Sequence, residues 1–269
     1  MRVGPNLEIV ESIKSGGTSN LFLAVDHYTG FPVAVKELKP GFFANEMVRE
    51  KFKEEANRYL YLQHPNIVRL KDFIDTGETY YLIMEYIEGH DLSDYISTIS
   101  GPLPIYSISL IMNEVLSALQ YAHDQNMIHL DLKPSNIMLT RENRVKVIDF
   151  GIAHDKNKGK LQAIMGSPAY MSPEQIKGEN IDHLSDIYSV GITIFELLSG
   201  FLPFRGGGTK EDLFEAIQQQ ELPEVKLCYE ADLPQSGRIN SILRKATAKK
   251  PIDRYQSCEE LQFELIQFL

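Results

Sequence analysis

The 269-residue sequence predicts an α+β fold in two successive parts, a small antiparallel sheet with one major helix followed by a larger, mainly helical portion. Three observations predict it. Short β-branched and apolar runs separated by turn residues fill most of the first third of the chain. One long helical stretch, Asn45–Gln63, interrupts those runs. From Ile105 onward apolar residues recur at helical spacing over long segments.

Composition narrows the function classes. Hydrophobic residues make up 43% and charged residues 24%, ordinary for a globular protein with a sizeable core. A net charge of −10 and a pI near 5.2 argue against a general nucleic-acid or anionic-membrane binder. Two cysteines, Cys228 and Cys258, are too few for a disulfide framework or a zinc site and fit a reducing, cytoplasmic compartment. No apolar run reaches transmembrane length; the most tempting, Gly191–Leu198, contains Thr193 and Glu196. The N-terminus lacks a basic-then-apolar signal pattern, and no internal repeat or low-complexity tract is present.

In the first part Leu7–Ile13, Leu21–Asp26 and Pro32–Leu38 read as three antiparallel strands, and Ile67–Asp75 with Tyr80–Glu85 complete a five-strand sheet. The turn from Ile13 to Leu21 is rich in small residues, which let backbone N–H groups approach a phosphate chain. Alone it reads as an ordinary hairpin turn. Val33-Ala34-Val35-Lys36 sets a lysine on an apolar strand, with Ala34 and Lys36 on one face. A buried-leaning ammonium needs a partner. The helix Asn45–Gln63 offers Glu55, with Glu54 as its rival, beside Phe52, Ala56, Tyr59, Leu60 and Leu62.

In the second part Ile105–Gln125 carries a helical stripe of Ile108, Ile111, Met112, Val115, Leu119 and Ala122. It leads to the stretch around which the chain is organised, Ile128 to Gly151. Asp131 and Asn136 lie five residues apart on a segment broken by Pro134, so a shaped loop is expected. The runs Ile137–Leu139 and Val145–Ile148 flank the polar turn Thr140–Arg144 and read as a hairpin that carries Asp149 back beside Asn136. Two carboxylates, one amide and the Lys133 ammonium then converge, a set suited to divalent metal and phosphate together. Further helices are expected at Ile181–Gly200 and Glu259–Leu269.

The run His129-Leu130-Asp131-Leu132-Lys133-Pro134-Ser135-Asn136, followed by Asp149-Phe150-Gly151, resembles the catalytic loop and metal-binding motif of the protein kinases. Other motifs follow in family order over about 8–268. The turn at Ile13–Leu21 resembles a degraded glycine-rich loop. Gly16 keeps the middle glycine, Lys14 and Ser19 replace the others, and the Gly-Gly-x-Ser form is similar to that of bacterial Ser/Thr kinases. Gly166 to Glu174 resembles the peptide-binding stretch and its closing Ala-Pro-Glu, here Ser-Pro-Glu. Pro251-x-Asp253-Arg254 resembles the late arginine motif.

The resemblance implies a bilobal kinase fold, with an N-lobe at 1–84, a hinge at 85–90 and a C-lobe at 91–269, and ATP with Mg2+ in the cleft. Asp131 would act as base and Lys133 would steady the γ-phosphoryl group; Asn136 and Asp149 would ligate magnesium. Lys36, paired to Glu55, would hold the α and β phosphates. Ile13, Gly16, Gly17, Ser19, Leu21, Ala34 and Met138 would line the nucleotide, Met84 would limit the back pocket, and main-chain groups of Glu85 and Ile87 would read the adenine edge. Asp91 would accept a ribose hydroxyl or else simply cap the helix that follows it. Asp186 would brace the catalytic loop through backbone hydrogen bonds, and Arg254 would pair with Glu174 in a structural salt bridge.

The implied reaction is transfer of the ATP γ-phosphoryl group to Ser or Thr hydroxyls of protein substrates, without nucleic acid. Leu130 stands where kinases that need loop phosphorylation carry an arginine, and 152–165 contain no Ser, Thr or Tyr. Both absences point to activity without a phosphate switch in that segment. Related bacterial receptor kinases often continue into a membrane anchor, so a soluble protein or a trimmed catalytic domain is expected. Two other classes draw on parts of the sequence. A nucleotide-binding scaffold without transfer would rest on Lys14, Ser19 and Leu130, and a small-molecule kinase would have no use for the peptide-binding stretch.

Overall fold

The computed structural model describes residues 2–16, 19–39, 41, 46–150, 154–155 and 167–269, with the backbone alone at 47, 48, 51, 52, 55, 154 and 155. The chain divides into two compact units, Met1–Glu88 and Gly89–Leu269.

The first unit is a six-stranded antiparallel sheet of β1 (Arg2–Val3), β2 (Leu7–Ser15), β3 (Ser19–Asp26), β4 (Pro32–Leu38), β5 (Leu70–Asp75) and β6 (Tyr80–Glu85), in the order β1-β2-β3-β4-β6-β5. Strand alternation gives it two distinct faces. Val33 and Val35 share one face with Ala24, Phe22 and Ile83, and with Val3, Leu7 and Tyr81 they form a buried cluster. Ala34 and Lys36 point to the other. Helix α1 runs Glu46–Tyr59 and is anchored by Tyr59, whose hydroxyl donates to Val68 O at 2.7 Å.

The five expected strands are present, three with other bounds: β2 and β3 are longer, and β5 begins at Leu70 rather than Ile67. The sheet gains β1, whose two residues are too few to leave a sequence period. β2 and β3 run further into the expected turn because Ser15 Oγ donates to Asn20 Oδ1 (2.8 Å) and Asn20 Nδ2 to Glu37 Oε2 (2.9 Å), carrying cross-strand pairing to Ser15–Asn20. The helix expected to reach Gln63 ends at Tyr59, where turns donate Tyr61 N to Arg58 O and Leu62 N to Tyr59 O.

The second unit is built on α2 (Ile105–Asp124) and α4 (Leu184–Ser199), both lined by buried residues. α3 (Pro173–Lys177) carries a Ser172–Gln175 capping box, and α5 (Lys210–Gln219), α6 (Ser236–Ala246) and α7 (Cys258–Leu265) follow. α7 packs along α2; Cys258 N donates to Gln120 Oε1 at 3.1 Å and Gln262 Nε2 to Asn113 O at 3.0 Å. Two small sheets complete the unit. β7 (Gly89–Asp91), β9 (Ile137–Thr140) and β10 (Val145–Val147) form one, and β8 (Met127–Ile128) pairs with β11 (His154–Asp155) in the other. α4 begins at Leu184 rather than the expected 181, since Asp182 Oδ1 takes the Leu184 N–H at 2.8 Å and stops the helix there.

Candidate active site

Pro134 opens a single 3-10 turn, Pro134–Asn136, so the segment after Asp131 folds back instead of running on as a helix. The turn brings its polar groups together. Lys133 Nζ donates to Asp131 Oδ2 at 2.7 Å and to Ser167 Oγ at 2.5 Å. The Ser167 N–H donates to Asp131 Oδ1 at 2.6 Å. Asn136 Nδ2 donates to Asp131 O at 2.8 Å and to its Oδ2 at 3.2 Å. Both oxygens of Asp131 are therefore held, on a half-buried carboxylate with an ammonium beside it.

The hairpin forms as expected, with Val147 opposite Ile137 and Val145 opposite Leu139. Ile148 N donates to Asn136 O at 2.9 Å, so the backbone directly before Asp149 is tied to Asn136. Asp149 takes φ +63°, a left-handed conformation that an aspartate visits at some strain. Next to it Phe150 is fully buried against the His129 ring, with centroids 4.7 Å apart and edge-on geometry. His129 Nε2 donates to Ile148 O at 3.0 Å, which leaves Nδ1 to accept the Asp131 N–H at 3.3 Å. One imidazole thus fixes both carboxylate-bearing segments.

Beneath the loop lies Asp186, fully buried on α4. Its Oδ1 accepts Leu130 N at 2.8 Å; its Oδ2 accepts His129 N at 2.8 Å and His123 Nε2 at 2.7 Å. Burial pushes this carboxyl up, but the hydrogen bond and charge of His123 and those of His129 outweigh it and hold Asp186 below the ordinary range. The expected bracing from below is present. Leu130 is buried with φ +60°, and its carbonyl accepts Gln175 Nε2 at 3.1 Å. The position between His129 and Asp131 is therefore an apolar anchor tied to α3 and α4.

The stretch after Ser167 is equally tied down. The Tyr170 hydroxyl donates to Glu196 Oε2 at 2.5 Å, and Ser189 Oγ donates to Tyr170 O at 2.9 Å. Burial, then the bond to Glu196, pushes the Tyr170 hydroxyl far up, and burial raises Glu196 as well. The expected Arg254–Glu174 pair is a buried fork: NH1 meets Oε1 and NH2 meets Oε2, each at 2.7 Å.

In the first unit, cross-strand register puts Leu21 opposite Lys36, Lys36 opposite Leu82 and Ala34 opposite Met84. Leu21, Ala34, Lys36 and Met84 therefore share the sheet face opposite the Val33–Val35 cluster. Ile13 sits at a bulge between Ser12 and Lys14 and is 44% exposed, so its side chain is available rather than packed. Gly16 N donates to Ser19 O at 2.9 Å, and Lys39 Nζ donates to Gly16 O. The Glu85 N–H goes to Arg69 O at 2.9 Å, and Ile87 lies just beyond β6. Gly17, the Glu55 side chain, Gly151, 152–153 and 156–166 lie outside the described residues, and with them the expected Lys36–Glu55 pair and loop segment. The rival Glu54 is exposed.

In the second unit Met138 stands opposite Asp91 across β9 and β7. Asp91 Oδ1 caps the turn Leu92–Asp94 by accepting Asp94 N at 2.9 Å, the simpler of the two roles expected for it. Among the described residues no group of three or more His, Cys, Asp or Glu forms a metal site, and no helix is long and apolar enough to cross a membrane.

The family model for the protein kinase domain matches residues 7–266. The chain belongs to the protein kinase domain family. It is 37% identical over 268 residues to the serine/threonine-protein kinase PrkC of Bacillus subtilis, covering 98% of this chain and 40% of that protein. It is 34% identical over 272 residues to the serine/threonine-protein kinase PknB of Mycolicibacterium smegmatis, covering 97% and 42%. This kinase domain thus spans about two fifths of the length of those relatives. In fold it matches a crystal structure of the Mycobacterium tuberculosis PknI kinase domain, a double mutant, at a TM-score of 0.78 and 24% identity over 97% of this chain and 95% of that one.

Sequence reasoning did not single out His123 or Gln175 as supports of the catalytic loop. Gln175 could have been found, because Ser172-x-x-Gln175 is a capping-box pattern. His123 carries no such signal: it lies at the end of a helix stripe and meets Asp186 only through the fold.

Proposed function

We propose that this kinase domain is a Ser/Thr protein kinase, transferring the γ-phosphoryl group of ATP to serine or threonine hydroxyls of proteins. What supports the reading best is the group of Asp131, Lys133, Asn136 and Ser167, linked by hydrogen bonds of 2.5–3.2 Å. Asp131 orients the acceptor hydroxyl and takes its proton. Lys133, held between Asp131 and Ser167, places a positive charge where negative charge develops on the transferred group.

The donor set fits magnesium. Asn136 is buried and commits its Nδ2 to Asp131, which leaves Oδ1 as the atom for a cation, and Asp149 adds a carboxylate from the neighbouring strand end. Both are hard oxygen donors of the kind magnesium takes. When bound there, the ion neutralises charge on the phosphate oxygens. Lys36, with Glu55 as its expected partner, would grip the α and β phosphates from the face it shares with Leu21, Ala34 and Met84. The Glu85 N–H is engaged with Arg69, and main-chain groups of Glu85 and Ile87 would read the adenine edge. Ile13, Gly16, Gly17, Ser19 and Met138 would line the nucleotide. Asp91 offers the ribose whatever its cap leaves free.

In this reading 1–84 act as an N-lobe, 85–90 as hinge and 91–269 as C-lobe. The free thiols of Cys228 and Cys258 suit the reducing, ATP-rich cytoplasm. Activity needs no phosphate within 152–165, because the residue before Asp131 is the buried Leu130, anchored through Asp186 and Gln175 rather than by a phosphate clamp. The test is incubation with labelled ATP and magnesium. Label on protein Ser or Thr from the unaltered chain and none from Asp131→Asn supports the proposal; nucleotide binding without transfer by either overturns it.

A further inference from the structure

Cys258 lies on α7 and is fully buried, with no part in the chemistry just described. Its Sγ lies 3.6 Å from His123 Nδ1, and the other nitrogen of that ring, Nε2, lies 2.7 Å from Asp186 Oδ2. Asp186 in turn holds the N–H groups of His129 and Leu130 at 2.8 Å, directly before Asp131. Thiol, imidazole, carboxylate and catalytic-loop backbone therefore form one unbroken hydrogen-bonded line running from the last long helix to the loop.

Donor and acceptor capacities fix its direction. Asp186 is held ionised and can only accept, so His123 Nε2 must carry a proton. Burial keeps the Cys258 thiol protonated, so it can donate. With the proton on Nε2, Nδ1 is the ring atom left to meet the thiol. Both ring nitrogens of His123 are then engaged, and a ring without the proton on Nε2 would leave Asp186 facing a lone pair. His183, whose ring meets His123 edge-on at 5.5 Å, packs that ring in place and directs its own Nε2 to Gln256 O at 3.0 Å.

We infer that the Cys258 thiol is a positioning group for phosphoryl transfer: by engaging His123 Nδ1 it holds that ring with Nε2 on Asp186, so that α7 helps keep Asp131 in register. The link to transfer rests on the proposed kinase activity; the link to loop order does not. Asp186 alone would leave its two loop N–H bonds sharing a buried charge without the third donor that balances it. His123 supplies that donor, and Cys258 keeps the donating nitrogen facing the right way.

The test compares four variants of the domain: Cys258→Ala, Cys258→Ser, His123→Gln and His123→Phe. Amide hydrogen exchange at residues 129 and 130 is read against core amides such as Leu119, and kcat and KM for ATP are measured on the same samples. Losing one hydrogen bond in the line should speed exchange at 129 and 130 about fivefold relative to the core. We expect that effect in Cys258→Ala, a larger one in His123→Phe, and near-normal protection in Cys258→Ser and His123→Gln, which keep a hydroxyl or amide donor. kcat should fall in step with lost protection while KM for ATP stays within about twofold, the pattern of an interaction that acts on the transition state. Equal loss of protection at 129, 130 and the core would show a merely structural role and overturn the inference. So would Cys258→Ala matching the unaltered chain, or Cys258→Ser failing to match it. If the unaltered chain transfers no phosphate, the kinase reading fails, while the exchange comparison still decides the hydrogen-bonded line.

Discussion

Replacing Glu174 by Ala should be among the most damaging single changes in the helical unit. Arg254 has a side chain with no solvent exposure, and Glu174 is 4% exposed. The guanidinium also donates to Leu184 O (2.8 Å), Ala248 O (2.8 Å) and Lys249 O (3.2 Å), so it cannot swing out to water when the carboxylate is lost. Removing one partner of such a pair leaves an uncompensated buried charge, with a loss of about 3–5 kcal/mol. Ser185 Oγ, which donates to Glu174 Oε1 at 2.6 Å, loses its acceptor as well, adding about 1 kcal/mol. Urea unfolding followed by far-UV circular dichroism measures the sum. The pair also sets a pH response. Burial raises the Glu174 carboxyl, but the Arg254 bonds and charge prevail and hold it below its ordinary 4.5. A depressed folded value means the stabilisation is complete above about pH 4.5 and is lost as pH falls below it through the lowered value. Glu174→Gln should remove that part of the acid sensitivity. Arg254→Met combined with Glu174→Leu should lose less than the two single changes added together. A Glu174→Ala loss under about 1 kcal/mol, or strict additivity in the double variant, would refute this reasoning.

Three further outcomes follow from other sites. Gly191→Ala should destabilise by about 1–3 kcal/mol, since the added Cβ would meet Thr247 Cγ2 at 2.6 Å and Ala246 Cβ at 3.1 Å; thermal unfolding checks it. Asn143→Ala, at φ +59° in the exposed hairpin turn, should lose about 1 kcal/mol by the same measurement, and Asn143→Gly should lose none. Burial draws the Lys249 ammonium down to about 8 from 10.5, so folding favours loss of its proton. Stability contributed here therefore rises with pH between about 8 and 10, and Lys249→Met should flatten that slope in urea titrations at several pH values.

The legible parts of the sequence were those where one residue pattern meets one local rule. Pro32–Leu38 is a short apolar and β-branched run between turn residues and forms its strand at the expected bounds. Pro134 and the Thr140–Arg144 turn forced a loop and hairpin, and the structure brings Asn136 to the strand that leads to Asp149. Helix α5 went unread although Thr209 and Asp212 make a capping box, because its apolar face is thin: of its residues only Ala216 and Ile217 are buried. The π-helical segment Tyr95–Ser100 has no buried residue and no period to read. Long-range partners such as Arg254 and Glu174 were legible only through the resemblance, and Cys258 with His123, 135 residues apart, not at all; that pair meets where α7 packs along α2. The carboxylates and lysines of the catalytic loop could be named from their order, but the hydrogen bonds that aim them are made by the fold.

The central claim is that Asp131, poised by Lys133, Asn136 and Ser167, moves a phosphoryl group from ATP to a protein hydroxyl. Intact-mass analysis after incubation with MgATP and a protein acceptor, with phosphosite mapping, tests it most directly. The account predicts added phosphate on Ser or Thr with the unaltered chain, a drop of at least about 100-fold in Asp131→Asn with nucleotide binding retained, and no requirement for phosphate within 152–165. Equal phosphorylation by Asp131→Asn, or nucleotide binding with no transfer by either protein, would contradict it.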